Sequence, residues 1–204
     1  GLSAIEMRRI GFPYPMTSEL VLRECIIMQG TIDCALRALE TGFAMNIAGG
    51  THHAFAAKGE GFCIFNDFAI AANYLLKYKK TERILICDLD VHQGNGTASI
   101  FRNDPRVYTF SMHGKDNYPL RKEISDTDIE LPGGCNDETY LALLTENLES
   151  VVRSFRPDIL FYLCGVDVLG TDKFGKLNLT REGCRKRDEQ VFKTARHNAL
   201  PVVC

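Results

Sequence analysis

Five short stretches of this chain are apolar at nearly every position rather than at every second one: 43–48, 83–87, 107–111, 159–164 and 200–204. A strand with one wet face alternates. A strand that does not is buried on both faces, which happens when helices cover both sides of a parallel sheet. The stretches between them carry helical patterns. Thr17 or Ser18 can cap a helix running to about Glu40, with a break expected near Gly30 and Gly42 as its left-handed stop. Asn66 or Asp67 can cap one to about Lys80, Asp137 one to about Phe155, and Thr180 one to about Asn198. Strand–helix alternation of this kind predicts an α/β fold of three layers, a parallel β-sheet with helices on both faces. No repeat or linker interrupts it, so residues 1–204 are read as a single domain. Leu200–Cys204 reads as a strand that stops with the sequence, and there is no initiator Met, so truncation at both ends is expected.

Composition excludes several classes. Lys plus Arg is 24 against 26 for Asp plus Glu, which argues against a basic nucleic-acid-binding face, and no direct nucleic-acid partner is expected. No apolar run approaches the roughly 20 residues of a bilayer span. The eight cysteines never occur as C-x-x-C and mostly sit in apolar stretches. They are read as reduced thiols in a cytoplasmic protein rather than as disulfides or a zinc knuckle. Nothing in the chain fixes an oligomeric state.

Polar residues gather just past the strands. His52 and His53 follow the first, Asp88, Asp90 and His92 the second, His113 the third and Asp167 the fourth. Sites in open parallel sheets form at the carboxyl ends of the strands. A single Asp there is ordinarily a cap or turn residue, but four strands delivering carboxylates and imidazoles to one edge is harder to explain that way. In Asp88-Leu89-Asp90-Val91-His92 the residues 88, 90 and 92 share one side of the extended chain. Asp90 and His92 with Asp167 would offer two oxygens and one nitrogen to a divalent cation, leaving an open position as catalytic zinc sites do. His52-His53, after Gly49-Gly50, can supply a proton acceptor and a proton donor beside it, with Asp88 fixing the tautomer of one. Gly94-Asn95-Gly96-Thr97 looks like a phosphate loop but lacks its third glycine. It is read as room for the backbone to turn under a metal.

These segments occur in a familiar order. Ala48-Gly49-Gly50-Thr51-His52-His53, Gly61-Phe62-Cys63-Ile64-Phe65-Asn66-Asp67, Asp88 to Thr97, Ser111-Met112-His113 and Gly165-Val166-Asp167 resemble the motifs of zinc-dependent histone deacetylases of the arginase/deacetylase superfamily. Arg8 to Pro13 and Gln93 to Gly96 look most like the class IV branch and its bacterial relatives. The resemblance implies one Zn2+ held by Asp90, His92 and Asp167. It implies His52 and His53 as the acid–base pair, Asp88 behind His52, and Asn95 where some relatives place an Asp behind the second histidine. Gly61 and Phe62 would line an acyl-lysine tunnel. Structural K+ would sit with Asp88, Asp90, His92, Ser111 and Met112, and a second with Phe101, Asp104 and Val107. The implied substrate is an acylated amine, either an acyl-lysine or an acetylated small amine. The resemblance also implies a glycine-rich segment with a transition-state tyrosine after Val203, and no residue of this chain matches that oxyanion donor. A non-catalytic module that keeps its metal is therefore the competing expectation. A dinuclear manganese hydrolase is disfavoured, because position 169 is Leu where a second carboxylate would be needed.

Overall fold

The computed structural model describes residues 2–204. Six strands form one sheet: β1 (Phe43–Ala44), β2 (Ile84–Asp88), β3 (Val107–Gly114), β4 (Thr127–Leu131), β5 (Ile159–Leu163) and β6 (Val202–Val203). Their order is β1-β6-β5-β2-β3-β4, and every pairing is parallel. β2 and β5, at the centre, are buried at all positions, as continuous apolar strands require.

Helices close both faces. α2 (Ser18–Thr41), α3 (Asp67–Lys77) and α4 (Asn95–Phe101) cover one, packing Ile32, Ala35, Phe68, Leu75 and Phe101 on Ile84, Ile86 and Phe161. α5 (Asp137–Phe155) and α6 (Arg181–His197) cover the other, where Tyr140, Leu144 and Leu148 at helical spacing meet Leu85, Cys87, Leu89 and Tyr162. A short α1 (Ala4–Ile10) precedes them, opened by a capping box between Ser3 and Glu6. Parity along β2 thus decides direction. Odd residues face α5 and α6, while Ile84, Ile86 and then Asp88 face α2, α3 and α4.

Several boundaries differ from the sequence expectation. β1 covers only Phe43–Ala44, because the Asn46 amide turns back to bond Ile27 O and Thr31 Oγ1 on α2, leaving Ile47 exposed. That amide occupies the space a side chain at Gly30 would need, so the glycine makes room for it and α2 runs through unbroken. β6 is likewise shorter than 200–204. α3 ends at Lys77 rather than near Lys80, with Lys79 at positive φ. Asn136, not Asp137, caps α5; the Asp137 carboxylate instead accepts from Thr180 N and Oγ1 at the start of α6. β3 extends to Gly114, which puts His113 inside a strand rather than past one.

One buried cation ties the layers at the site edge. Arg187 of α6 is fully buried, and its guanidinium donates to Leu89 O, Gly165 O and Cys164 O at 3.3, 2.6 and 3.3 Å, with Nε on Asp188 Oδ1 at 2.8 Å. It thereby fixes the chain leaving β2 against the chain leaving β5. Arg187→Met would fill the volume but leave those carbonyls without a donor. We expect the unfolding free energy in urea to fall on the order of 1–3 kcal/mol.

Candidate metal and acid–base centre

The carboxyl ends of β2 and β5 bring Asp90, His92 and Asp167 together, although Asp167 is 75 positions or more from the other two. One donor atom from each lies within 4.8 Å of the others. His92 Nδ1 stands 3.0 Å from Asp90 Oδ1 and 3.0 Å from Asp167 Oδ2. Backbone amides lock the carboxylates: Asp90 Oδ1 accepts from His92 N at 2.8 Å, and Asp167 Oδ1 from Val91 N at 3.0 Å. Burial pulls His92 down, but the two carboxylates outweigh it and hold the imidazole up at about 9. Burial would raise Asp90, and contact with His92 and His52 holds it well below the usual carboxylate range instead. A nitrogen wedged between two carboxylate oxygens either carries a proton or shares a cation with them. Donors around a shell of about 2.0–2.2 Å lie no more than about 4.4 Å apart, so this set fits a divalent ion with small adjustments. A Cβ at Gly165 would run into the Asp90 carboxylate, which explains the glycine ahead of Asp167.

The paired histidines sit beside this cluster, both buried, with ring centroids 4.1 Å apart. Their loop is held from α3. Asp67 accepts from Gly50 N, Thr51 N, Thr51 Oγ1 and Thr31 Oγ1, while Asn66 Nδ2 donates to His52 O and Ala54 O. His52 Nδ1 meets Asp88 Oδ2 at 2.7 Å, and its Nε2 is 4.0 Å from Asp90 Oδ1. Burial works against a charged imidazole, yet the adjoining Asp88 carboxylate prevails and raises His52 to about 9. His53 Nδ1 meets Asn95 Oδ1 at 2.7 Å, a neutral partner. Burial and then the neighbouring His52 charge push His53 down to about 3. Two adjacent imidazoles are therefore driven to opposite protonation states at neutral pH, one a proton donor and one an acceptor.

The remaining sequence candidates are placed as follows. Gly61 has positive φ, and a Cβ there would strike the His53 ring, so it lies directly against the site. Phe62 is exposed at the rim, leaning on Gly11. Asp88 and Ser111 are register partners on β2 and β3 with Met112 next in line, and a void of about 10 Å3 lies between Asp88, Gly94, Thr109 and Ser111. That is the room one water-sized particle needs. Phe101, Asp104 and Val107 meet in the turn from α4 to β3, joined by Asp104 N to Phe101 O and Val107 N to Asp104 O, while Arg106 takes the Asp104 carboxylate. His113, expected among the converging imidazoles, is instead enclosed within β3 with Nδ1 on Ser111 Oγ at 2.9 Å. Gly94-Asn95-Gly96 opens helix α4, with Asn95 as its first residue.

Two residues at the site carried no sequence signal. Tyr118 stands edge-on to His53, ring centroids 4.9 Å apart at 86°, and its hydroxyl donates to Glu60. Both lie in segments without periodicity. The Tyr118-Pro119 dipeptide in a loop was the one available hint.

The family profile described as "Histone deacetylase domain" matches residues 6–204. An uncharacterized protein of Picosynechococcus is 47% identical over 197 residues, covering 97% of this chain and 65% of its own length. Histone deacetylase 2 of Arabidopsis thaliana is 38% identical over 177 residues, covering 85% of this chain and 46% of its own. The chain thus spans about half to two-thirds of the length of these curated relatives. Among solved structures, an HDAC homolog from Aquifex aeolicus superposes with a TM-score of 0.78 at 28% identity, over 89% of this chain and 52% of that one. An HDAC homolog complexed with SAHA superposes with a TM-score of 0.77 at 28% identity, over 88% and 51% respectively.

Burial lowers His113 to about 4, so in the folded protein it stays neutral where an unfolded histidine, near 6.5, would charge. The unfolded chain then binds the extra proton. Stability from this group is complete above pH 6.5 and declines as pH falls towards 4. In a histidine NMR titration we expect the His113 ring signals to stay flat from pH 8 to about 5. A midpoint near 6.5 would show the ring to be in contact with water.

Proposed function

This chain belongs to the histone deacetylase family, and on that premise we propose that it carries the metal-dependent centre of an amide hydrolase that removes an acetyl or longer acyl group from an amine. The substrate would be an acyl-lysine of a protein or an acetylated small amine. One observation supports this reading above the rest: a two-carboxylate, one-imidazole donor set adjoins two buried histidines, one resting on a carboxylate and the other on an amide. Neither half alone would specify hydrolysis.

Asp90, His92 and Asp167 would hold one zinc ion. Bound zinc supplies Lewis acidity to an amide carbonyl and lowers the pKa of water, from 15.7 towards about 7. His53, unprotonated at neutral pH, would accept a proton at Nε2, since Nδ1 is engaged with Asn95. His52, kept charged by Asp88, would hold a proton at Nε2 for the departing amine. Asp88 orients that ring and stabilises its charged form. Gly61 and Phe62 would flank the acyl chain. Leu169 packs against the apolar core, which suits one metal rather than two. K+ would occupy the positions around Asp88, Asp90, His92, Ser111 and Met112, and around Phe101, Asp104 and Val107. No helix among the described residues is long and apolar enough to cross a membrane. With all eight cysteines as free thiols, we place the protein in the reducing cytoplasm.

In the complete, zinc-loaded protein assayed on a panel of acyl-lysine peptides and acetylated amines, His53→Ala is expected to lower kcat by about 10²–10⁴. Zinc affinity, read by calorimetry, should be unchanged. Asp90→Ala should abolish both. Equal loss of zinc in the two variants would make His53 a ligand. Stoichiometric zinc binding with no turnover of any acylated amine would favour a binding module that keeps its metal.

A further inference from the structure

An asparagine behind an imidazole does not by itself choose a tautomer. Its carbonyl can accept from Nδ1–H or, turned over, its amide can donate to a bare Nδ1. A carboxylate in the same place would leave no choice, because it only accepts. At His53 the choice is made one residue further out. Asn95 meets His53 Nδ1 through Oδ1, and Asn95 Nδ2 donates to Glu60 Oε1 at 3.1 Å. The same Oε1 accepts from the Tyr118 hydroxyl, while Oε2 takes Lys58 Nζ at 2.6 Å. Tyr118 closes the circuit by standing edge-on to the His53 ring. Burial would raise the Glu60 carboxyl, but Lys58, Tyr118 and Asn95 outweigh it and keep the group ionised at neutral pH.

We propose that Glu60 is a positioning residue that orients the Asn95 amide and so fixes His53 as its Nδ1–H tautomer, with Tyr118 holding Glu60 in place. The donors and acceptors leave one consistent arrangement. An ionised carboxylate only accepts, so Asn95 must turn Nδ2 towards Glu60 and Oδ1 towards His53. His53 Nδ1 must then carry the proton, and Nε2 is left bare, as a base at this site requires. The network does with three neutral or outlying groups what a single carboxylate at position 95 would do directly, without placing a second negative charge beside His53. Its importance for turnover rests on the hydrolase reading above; the tautomer itself does not.

The test is a long-range proton–nitrogen NMR correlation on the 15N-histidine-labelled full chain near pH 7, with His53 signals assigned through His53→Ala. The wild type is expected to show a single neutral tautomer protonated at Nδ1. Glu60→Lys puts a donor where the acceptor was, turns Asn95 over and moves the proton to Nε2. Glu60→Gln keeps an acceptor for Asn95 Nδ2 and retains Nδ1–H. Asn95→Asp added to Glu60→Lys restores Nδ1–H, because a carboxylate at 95 needs no orienting. Where turnover is measurable, kcat should fall in Glu60→Lys by up to about 10²–10⁴ at constant KM and recover in the double variant. A folded Glu60→Lys protein that keeps the wild-type tautomer overturns the proposal. So does loss of the native histidine spectrum in both Glu60 variants, which would make the residue structural. A tautomer that switches as described in a protein without turnover leaves the role of Glu60 standing and defeats the hydrolase reading instead.

Discussion

Three carboxylates, Asp88, Asp90 and Asp167, are drawn out of bulk water at the carboxyl edge of a sheet that is apolar on both faces. Transferring such groups costs several kcal/mol each unless the new surroundings repay it. Here the repayment is local and directional. Asp88 Oδ1 accepts from Asp90 N, Asp90 Oδ1 from His92 N, and Asp167 Oδ1 from Val91 N. The other oxygens of Asp88 and Asp167 face His52 and His92, and Asp90 Oδ1 itself also faces His92 Nδ1. The three-residue run from Asp88 to Asp90 can turn this tightly only because Leu89 and Val91 are anchored in the opposite core. The geometry of the site is therefore a by-product of satisfying buried charge.

Rigidity is supplied from outside the cluster. Arg187 reaches from α6 to grip the backbone after β2 and after β5, so the segments bearing Asp90, His92 and Asp167 cannot drift apart independently. On the other face, Asp67 and Asn66 at the start of α3 grip the loop of His52 and His53. Two helix-borne side-chain systems, one from each layer, thus hold the two halves of the centre at a fixed separation. The three-layer architecture is what makes this available, since each edge loop has a helix terminus or a helix face behind it.

Charge then separates two neighbouring imidazoles into different roles. His52 rests on a carboxylate and His53 on an amide, and once His52 is charged it suppresses the charging of His53. An aspartate at position 95 would weaken that division by favouring the charged form of both rings. Asparagine preserves it, but only if something else orients the amide, and the Glu60–Tyr118 pair stands where that task falls.

Much of this was legible in the sequence because it is local. Unbroken apolar runs at Ile84–Cys87 and Ile159–Leu163 fix a parallel sheet covered twice, and period-two geometry puts Asp88, Asp90 and His92 on one side before any fold is known. The order of the motifs identifies the family for the same reason. What failed to show was set by partners distant in sequence. β4 alternates because its outer face is wet, so the two-sided burial that marks β2 and β5 is missing from it. Gly94-Asn95-Gly96 reads as a loop, yet forms the start of α4 once Asn66 and the His52 carbonyl anchor Thr97. Glu60 and Tyr118 are 58 positions apart, and Arg187 is 98 from the carbonyl it binds at Leu89. Composition and periodicity report the burial of a residue's own segment. They carry no distance between segments, and at this site it is distance that makes a carboxylate a ligand, a cap or an orienting acceptor.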